Sequence, residues 1–117
     1  MAKIVVIEDE SALRAMIAEE LEDLGHTVVT AVNGEQGLAA ILEHRPQFVC
    51  CDVNMPVMNG LALKQKLNAL GLGPNELTFI FVSARVDRND IADGLMLGAD
   101  HYLTKPIDMD RLATLVS

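Results

Sequence analysis

The order of apolar and polar positions along the chain predicts strands and helices in alternation. Short apolar runs rich in β-branched residues indicate five strands, which are Lys3–Ile7, Thr27–Ala31, Phe48–Cys51, Thr78–Val82 and Tyr102–Leu103. The segments between these runs have helical spacing, and nearly continuous apolar strands are typical of a parallel sheet that is covered on both faces. We therefore expect an α/β fold, a (βα)5 three-layer sandwich that forms a single domain over residues 1–117.

Residues that favour helix ends delimit the first two helices. The apolar stripe of the first helix consists of Leu13, Ile17, Leu21 and Leu24. We expect this stripe to be buried and the helix to stop at Gly25, because glycine suits a left-handed C-cap. Asn33 and Gln36 resemble the capping box of a second helix. That helix must end before Pro46, because the residue preceding a proline disfavours the α conformation.

The later helices are predicted at Leu61–Leu70 and Arg88–Leu97, and a last helix starts near Asp108. The turn-forming residues of Gly71–Glu76 predict an exposed loop without a chemical role. The last helix would have fewer than three turns before Ser117. This leaves open whether the chain is a stand-alone protein or is cut from a longer one.

Composition and charge narrow the classes of partner. The net charge of −8 at pH 7 and the pI near 4.6 argue against nucleic-acid binding by this domain, since affinity for phosphate backbones rests on clustered Lys and Arg. Neither a signal-peptide pattern nor a membrane-spanning apolar stretch is present in the sequence, so we expect a cytoplasmic protein without membrane contact. Cys50 and Cys51 are neighbours in one strand and point to opposite faces, so we expect two reduced, buried thiols.

Polar residues follow the predicted strands at their carboxyl ends. They are Glu8, Asp9 and Glu10 after the first strand, Asp52 and Asn54 after the third, Ser83 after the fourth and Lys105 after the fifth. In an open parallel sheet, ligands bind beyond the carboxyl ends of the strands. We therefore expect these side chains to meet at one edge of the sheet.

The acidic members of this set indicate a divalent cation. Glu8, Asp9 and Asp52 would bring three carboxylates close together, and their repulsion disfavours ionisation unless a cation relieves it. Oxygen ligands without His or Cys suit Mg²⁺, which is usually bound together with phosphate oxygens. The Asp52 carboxylate could attack phosphorus, with Lys105 balancing the transferred charge and Ser83 donating a hydrogen bond.

Each of these residues, taken alone, has a plainer structural explanation. Glu8 and Asp9 would favour the positive N-terminus of the first helix. Asp52 would form a turn, and Lys105 would be a solvated lysine. Only their combination at one edge of the sheet favours a chemical role.

Longer motifs surround these residues. They are Glu8-Asp9, Cys51-Asp52-Val53-Asn54-Met55-Pro56 followed by Met58-Asn59-Gly60, Ser83-Ala84, Gly98-Ala99-Asp100 and Tyr102-Leu103-Thr104-Lys105-Pro106. Together, over essentially the whole chain, they resemble the receiver domain of two-component response regulators. The resemblance implies a signal-transduction domain with a flavodoxin-like sheet of strand order 2-1-3-4-5.

The same resemblance implies a role for each residue of the site. Asp52 would be the phosphoacceptor, forming an aspartyl phosphate in a Mg²⁺-dependent reaction. Asp9 and Asp52 would bind the ion directly, Glu8 through water, and Asn54 through its backbone carbonyl. Lys105 would pair with the phosphoryl group. The chain would then be a regulatory domain and not an enzyme, apart from its own phosphorylation and dephosphorylation.

A switch and its partners are implied as well. Ser83 would move toward a phosphoryl oxygen and Tyr102 would turn into the vacated space, which would reshape the surface of the fourth helix, fifth strand and fifth helix. The phosphoryl donor would be a histidine kinase or phosphotransfer protein docked on the first helix and the strand–helix loops. The reshaped surface would act on an output domain or target protein, or form a homodimer. The family also suggests a cis Lys105–Pro106 bond.

Two other functions stay open on the sequence alone. A phosphatase on a similar fold could use an aspartyl-phosphate intermediate, although such enzymes usually carry a second Asp where this chain has Asn54. A constitutive protein-interaction domain could bind metal in the acidic pocket without any turnover.

Overall fold

The computed structural model describes residues 1–72, 76–84 and 87–117. Within these ranges the strands and helices alternate along the chain. Residues 73–75 of the loop predicted at Gly71–Glu76 lie outside the described residues, so the prediction made for that loop is not tested there.

Parallel strands form the central sheet. Their bounds are β1 Lys3–Ile7, β2 Thr27–Ala31, β3 Phe48–Asp52, β4 Thr78–Ser83 and β5 His101–Thr104. The sheet order is β2-β1-β3-β4-β5, so the expected fold class and strand order are confirmed. β3 and β4 each extend one residue beyond the apolar pattern because the ladder continues through polar positions: Asp52 pairs with Val82, and Ser83 pairs with Thr104.

Helices flank the sheet on both sides. They are α1 Ser11–Asp23, α2 Gly34–His44, α3 Gly60–Ala69, α4 Arg88–Met96 and α5 Met109–Leu115. At the start of α2, the Asn33 side chain accepts a hydrogen bond from the Gln36 amide at 2.8 Å, as the capping pattern predicted. Gly25 follows α1 with φ of +96°, a conformation that glycine adopts at little cost. In the described part of the chain, none of these helices is both long and apolar enough to cross a membrane.

One core layer lies on each face of the sheet. On one face, the helices α2 and α3 contribute the buried residues Ile41, Leu63 and Leu67. On the other face, α1 and α5 contribute Ile17, Leu21 and Leu112. Cys51 belongs to the first layer and Cys50 to the second, and both thiols are free and buried. The alternation of strand side chains therefore builds the three-layer sandwich that the sequence predicted.

The predicted apolar stripe of α1 is wrong at its last position. Ile17 and Leu21 are buried, whereas Leu24 is 49% exposed. The last helical residue of α1 is Asp23, and Leu24 lies at the C-cap, where the chain turns through Gly25 toward β2. Its side chain is therefore left outside the core.

Gly37 allows α2 to pack directly on the strand that leads to Glu8. A Cβ atom at Gly37 would overlap Ile7 Cδ1 and lie 2.9 Å from Ile7 Cγ1. We expect Gly37→Ala to lower the free energy of unfolding by about 1–3 kcal/mol through overpacking, despite the higher helix propensity of alanine. Urea denaturation measures this change.

The matched variant for this test is Ile7→Val, which removes the overlapping Cδ1 atom. In the double variant, Gly37→Ala should cost much less than it does beside Ile7, because the two substitutions share one contact. Strictly additive costs would show that this contact is not the cause.

Candidate functional site

The register of the sheet brings four strand ends together. Ile7 pairs with Cys51, so the next residues of these neighbouring strands, Glu8 and Asp52, lie side by side. Ser83 ends β4, and its carbonyl oxygen accepts a hydrogen bond from the Lys105 amide at 2.8 Å. The structure therefore places the strand-end residues that the sequence singled out at one edge of the sheet.

Three carboxylates form an acidic cluster at this edge. Glu8, Asp9 and Asp52 each offer an oxygen atom, and these atoms all lie within 4.8 Å of one another. Glu8 and Asp52 are buried, whereas Asp9 is exposed. A set of carboxylate oxygens with one side open to solvent fits a hard cation such as Mg²⁺, which keeps several of its waters.

Lys105 bridges the two buried carboxylates. Its Nζ atom lies 3.1 Å from Glu8 Oε1 and 3.2 Å from Asp52 Oδ2. Burial lowers the pKa of Lys105, but the hydrogen bond to Glu8 and the charge of Asp52 outweigh this effect and hold the pKa above its ordinary value. Lys105 therefore stays charged. The Lys105–Pro106 peptide bond is cis, as the resemblance suggested.

Glu8 shows the electrostatic strain of the cluster. Its pKa is raised to about 7; burial is the largest cause, and the nearby Asp52 and Asp9 carboxyls contribute in the same direction. The backbone amide of Glu10, which donates to Glu8 Oε2 at 3.1 Å, and the Lys105 ammonium oppose this rise without cancelling it. A cation beside these carboxylates would favour their charged forms.

Backbone contacts fix the acidic residues in place. The Asn54 amide donates to Asp52 Oδ1 at 3.2 Å, while the Asn54 side chain is exposed. Gly60, the first residue of α3, packs so closely on β3 that an added Cβ atom would lie 2.5 Å from the Asp52 carbonyl oxygen. The position of Asp52 thus depends on a glycine eight residues later, which the sequence analysis quoted in a motif without assigning it a role.

Arg14 is a site residue that the sequence analysis missed. From the first turns of α1, its Nη1 atom donates to the Glu8 carbonyl at 2.8 Å and to the Asp9 carbonyl at 3.4 Å. The signal in the sequence was a basic residue one turn into the helix that follows an acidic pair. Its guanidinium holds the backbone of the pair, so the carboxylates keep their orientation.

Ser83 and Tyr102 belong to the neighbouring strands β4 and β5. Ser83 is fully buried and Tyr102 is half-buried. The Tyr102 ring centroid lies 6.2 Å from that of Phe81, and a Cβ atom at Gly94 of α4 would lie 3.1 Å from both rings. These contacts connect β4, β5 and α4 beneath the surface that the resemblance associates with switching.

Comparison with known proteins finds relatives over nearly the whole chain. The sequence model of the response regulator receiver domain matches residues 4–117. The chain is 35% identical to the transcriptional regulatory protein AfsQ1 of Streptomyces coelicolor over 107 residues. This aligned segment is 92% of the chain and 46% of that protein. It therefore spans about half the length of the curated relatives that it matches.

Solved structures of receiver domains share the fold over nearly the whole chain. The Francisella response regulator 1452 receiver domain superposes with a TM-score of 0.93 at 27% identity, covering 99% of this chain and 93% of that one. The BeF3-activated DrrB receiver domain superposes with a TM-score of 0.87 at 28% identity, covering 99% of this chain and 94% of that one.

Val57 occupies a strained turn in the loop after Asp52. Its φ is +69°, and the Met58 amide donates to the Pro56 carbonyl at 2.7 Å, which closes a γ-turn around it. Its side chain is 76% exposed. A β-branched residue in this conformation is strained, and little burial compensates.

We expect Val57→Gly to raise the free energy of unfolding by up to about 1 kcal/mol, because relief of backbone strain exceeds the entropy that glycine adds to the unfolded chain. Val57→Ala is the control, since it shortens the side chain but keeps a Cβ atom in the same conformation. Thermal or urea denaturation of both variants measures the change in the free energy of unfolding. An equal increase in Val57→Ala would contradict the assignment to backbone strain.

Proposed function

This chain belongs to the response regulator receiver domain family, and on that premise we propose that it is a phosphoacceptor switch. Asp52 would accept a phosphoryl group from a histidine kinase or a phosphotransfer protein in a Mg²⁺-dependent reaction. The observation that carries this proposal is the position of Asp52, whose carboxylate lies 3.2 Å from the Lys105 ammonium and within 4.8 Å of carboxylate oxygens of Glu8 and Asp9.

The transfer itself needs a nucleophile and balanced charge. An Asp52 carboxylate oxygen would form a bond to phosphorus while the bond from phosphorus to the donor nitrogen breaks. The donor histidine, protonated on its other ring nitrogen, would leave as its neutral ring. Lys105, which stays charged beside Asp52, would pair with a phosphoryl oxygen and so offset the negative charge brought into the site.

Mg²⁺ would supply further positive charge beside the phosphoryl oxygens when it is bound. Asp9 and Asp52 would hold it directly, Asn54 through its backbone carbonyl, and Glu8 through water. The donor chemistry of the cluster supports this assignment, because its side chains offer only carboxylate oxygens.

The residue two positions after Asp52 separates a switch from a phosphatase. Asn54 carries an exposed carboxamide there, which cannot act as a general acid or base as a carboxyl group would. Without a carboxyl group at this position, no general acid or base two residues after Asp52 accelerates hydrolysis of the aspartyl phosphate. We therefore infer a regulatory domain that catalyses only its own phosphorylation and dephosphorylation.

The output would come from the face formed by α4, β5 and α5. Ser83 would donate to a phosphoryl oxygen and Tyr102 would turn inward beside it. Of the residues of α4, Gly94 alone is buried, so little apolar contact opposes a shift of this helix. The reshaped face would act on an output domain or target protein, or pair with a second copy, while the donor protein docks on α1.

Phosphorylation of Asp52 is tested with a small phosphodonor such as acetyl phosphate in the presence of Mg²⁺. We expect the protein to gain the mass of one phosphoryl group, in a form that hydroxylamine removes because it is an acyl phosphate. Asp52→Asn should abolish the gain and Asp23→Asn, at the exposed end of α1, should retain it. A label that persists in Asp52→Asn would refute the assignment.

Metal binding is tested by calorimetric titration with Mg²⁺. We expect Asp9→Asn to weaken binding by roughly tenfold or more, since loss of one ligand charge in contact with a cation costs at least about 1.4 kcal/mol. The affinity of Asp23→Asn should equal that of the wild type. Equal affinity of Asp9→Asn and the wild type would exclude Asp9 as a ligand.

A further inference from the structure

A buried lysine lies in α3. Lys64 is 1% exposed, and its Nζ atom donates to Asn68 Oδ1 at 2.8 Å. The same atom lies 5.6 Å from the centroid of the Phe79 ring. The ammonium therefore has an amide oxygen and an aromatic face as close partners, and the Asp100 carboxylate acts on it from further away.

Such a position is costly for a charged group. Burial lowers the pKa of Lys64 below its ordinary value, and Asp100 only partly opposes this. An apolar side chain of the same size would fill the space without that penalty. The contacts of the ammonium therefore need an explanation other than packing.

The partner of Lys64 connects two helices. The Asn68 Nδ2 atom donates to the carbonyl oxygen of Leu97 at 2.7 Å, and Leu97 is the C-cap residue of α4. Because Lys64 holds the Oδ1 atom, the amide of Asn68 is oriented with its donor toward α4. The lysine thus acts on α4 through the asparagine.

The link matters because α4 buries little of its own surface. Gly94 is the one residue of this helix that is buried, and it lies against the rings of Phe81 and Tyr102. A helix with so little buried surface depends strongly on single polar contacts at its ends. The bond from Asn68 secures the end that follows Gly94.

We propose that Lys64 and Asn68 are positioning residues that hold the C-terminal end of α4 in the arrangement of the unphosphorylated protein. This inference rests on the proposed function, in which phosphorylation of Asp52 shifts α4. We call these two residues the Lys64–Asn68 clamp. If the clamp favours the unphosphorylated arrangement, its loss raises the population of the activated arrangement, and a phosphoryl mimic then binds more tightly.

The sharpest variant is Asn68→Asp. It keeps an acceptor for Lys64 and gives the ammonium a full counter-charge, but it removes the donor to the Leu97 carbonyl. We expect beryllofluoride to bind about threefold to tenfold more tightly in the presence of Mg²⁺, the change produced by loss of one ordinary hydrogen bond in the competing state. The melting temperature without beryllofluoride should fall by a few degrees for the same reason. A merely structural role predicts this fall without any gain in affinity for beryllofluoride.

Lys64→Met is the second variant, because methionine fills the site without a charge. Its affinity for beryllofluoride should also rise, and Lys66→Met, an exposed lysine of the same helix, should match the wild type. Amide hydrogen exchange in the protein without beryllofluoride gives an independent readout: exchange at Leu97 and Gly98 should be faster in Asn68→Asp.

The outcomes separate the two proposals. If the wild type binds no beryllofluoride, the proposed function fails. Amide hydrogen exchange at Leu97 and Gly98 then remains the test of whether Lys64 and Asn68 hold the end of α4. If the wild type binds it but Asn68→Asp has the same affinity, the clamp does not favour the unphosphorylated arrangement and this inference is overturned. Unchanged exchange at the end of α4 would also overturn it.

Discussion

Repulsion between carboxylates is the constraint on which the site depends. Glu8, Asp9 and Asp52 present oxygens within 4.8 Å of one another, and two of these residues are buried. Like charges at such distances repel by about 4 kcal/mol near a protein surface. Lys105 offsets part of this repulsion, yet burial, together with the neighbouring carboxyls, still raises the pKa of Glu8 to about 7. The site is thus assembled in a state that additional positive charge would stabilise.

The sheet provides the stiffness that this arrangement requires. Asp52 and Ser83 are the last residues of central strands, and each is still part of the hydrogen-bonded ladder. Arg14 and Gly60 hold the adjoining backbone from two different helices. Repelling groups placed on flexible loops would move apart, whereas strand ends fixed on both sides keep them together.

The sequence predicted the fold well because its signals were local. Strand runs and helix caps lie within a few residues of one another, and the rule that ligands bind at carboxyl strand ends collected Glu8, Asp52 and Lys105 correctly. Lys64 was missed, since a lysine in a helix is normally exposed. The Phe79 ring beneath it and the Leu97 carbonyl bound by its partner Asn68 come from distant segments. Periodicity carries no information on such pairs.

The single buried residue of α4 has an evolutionary consequence. Substitutions at exposed helix positions usually change stability by no more than about 0.5 kcal/mol, so the outer positions of α4 can diverge while Gly94 keeps its place against the aromatic rings. The chemistry at the strand ends is untouched by such changes. Duplicated copies of this domain could therefore acquire different partners, and keep their signals separate, while the residues at the strand ends stay the same.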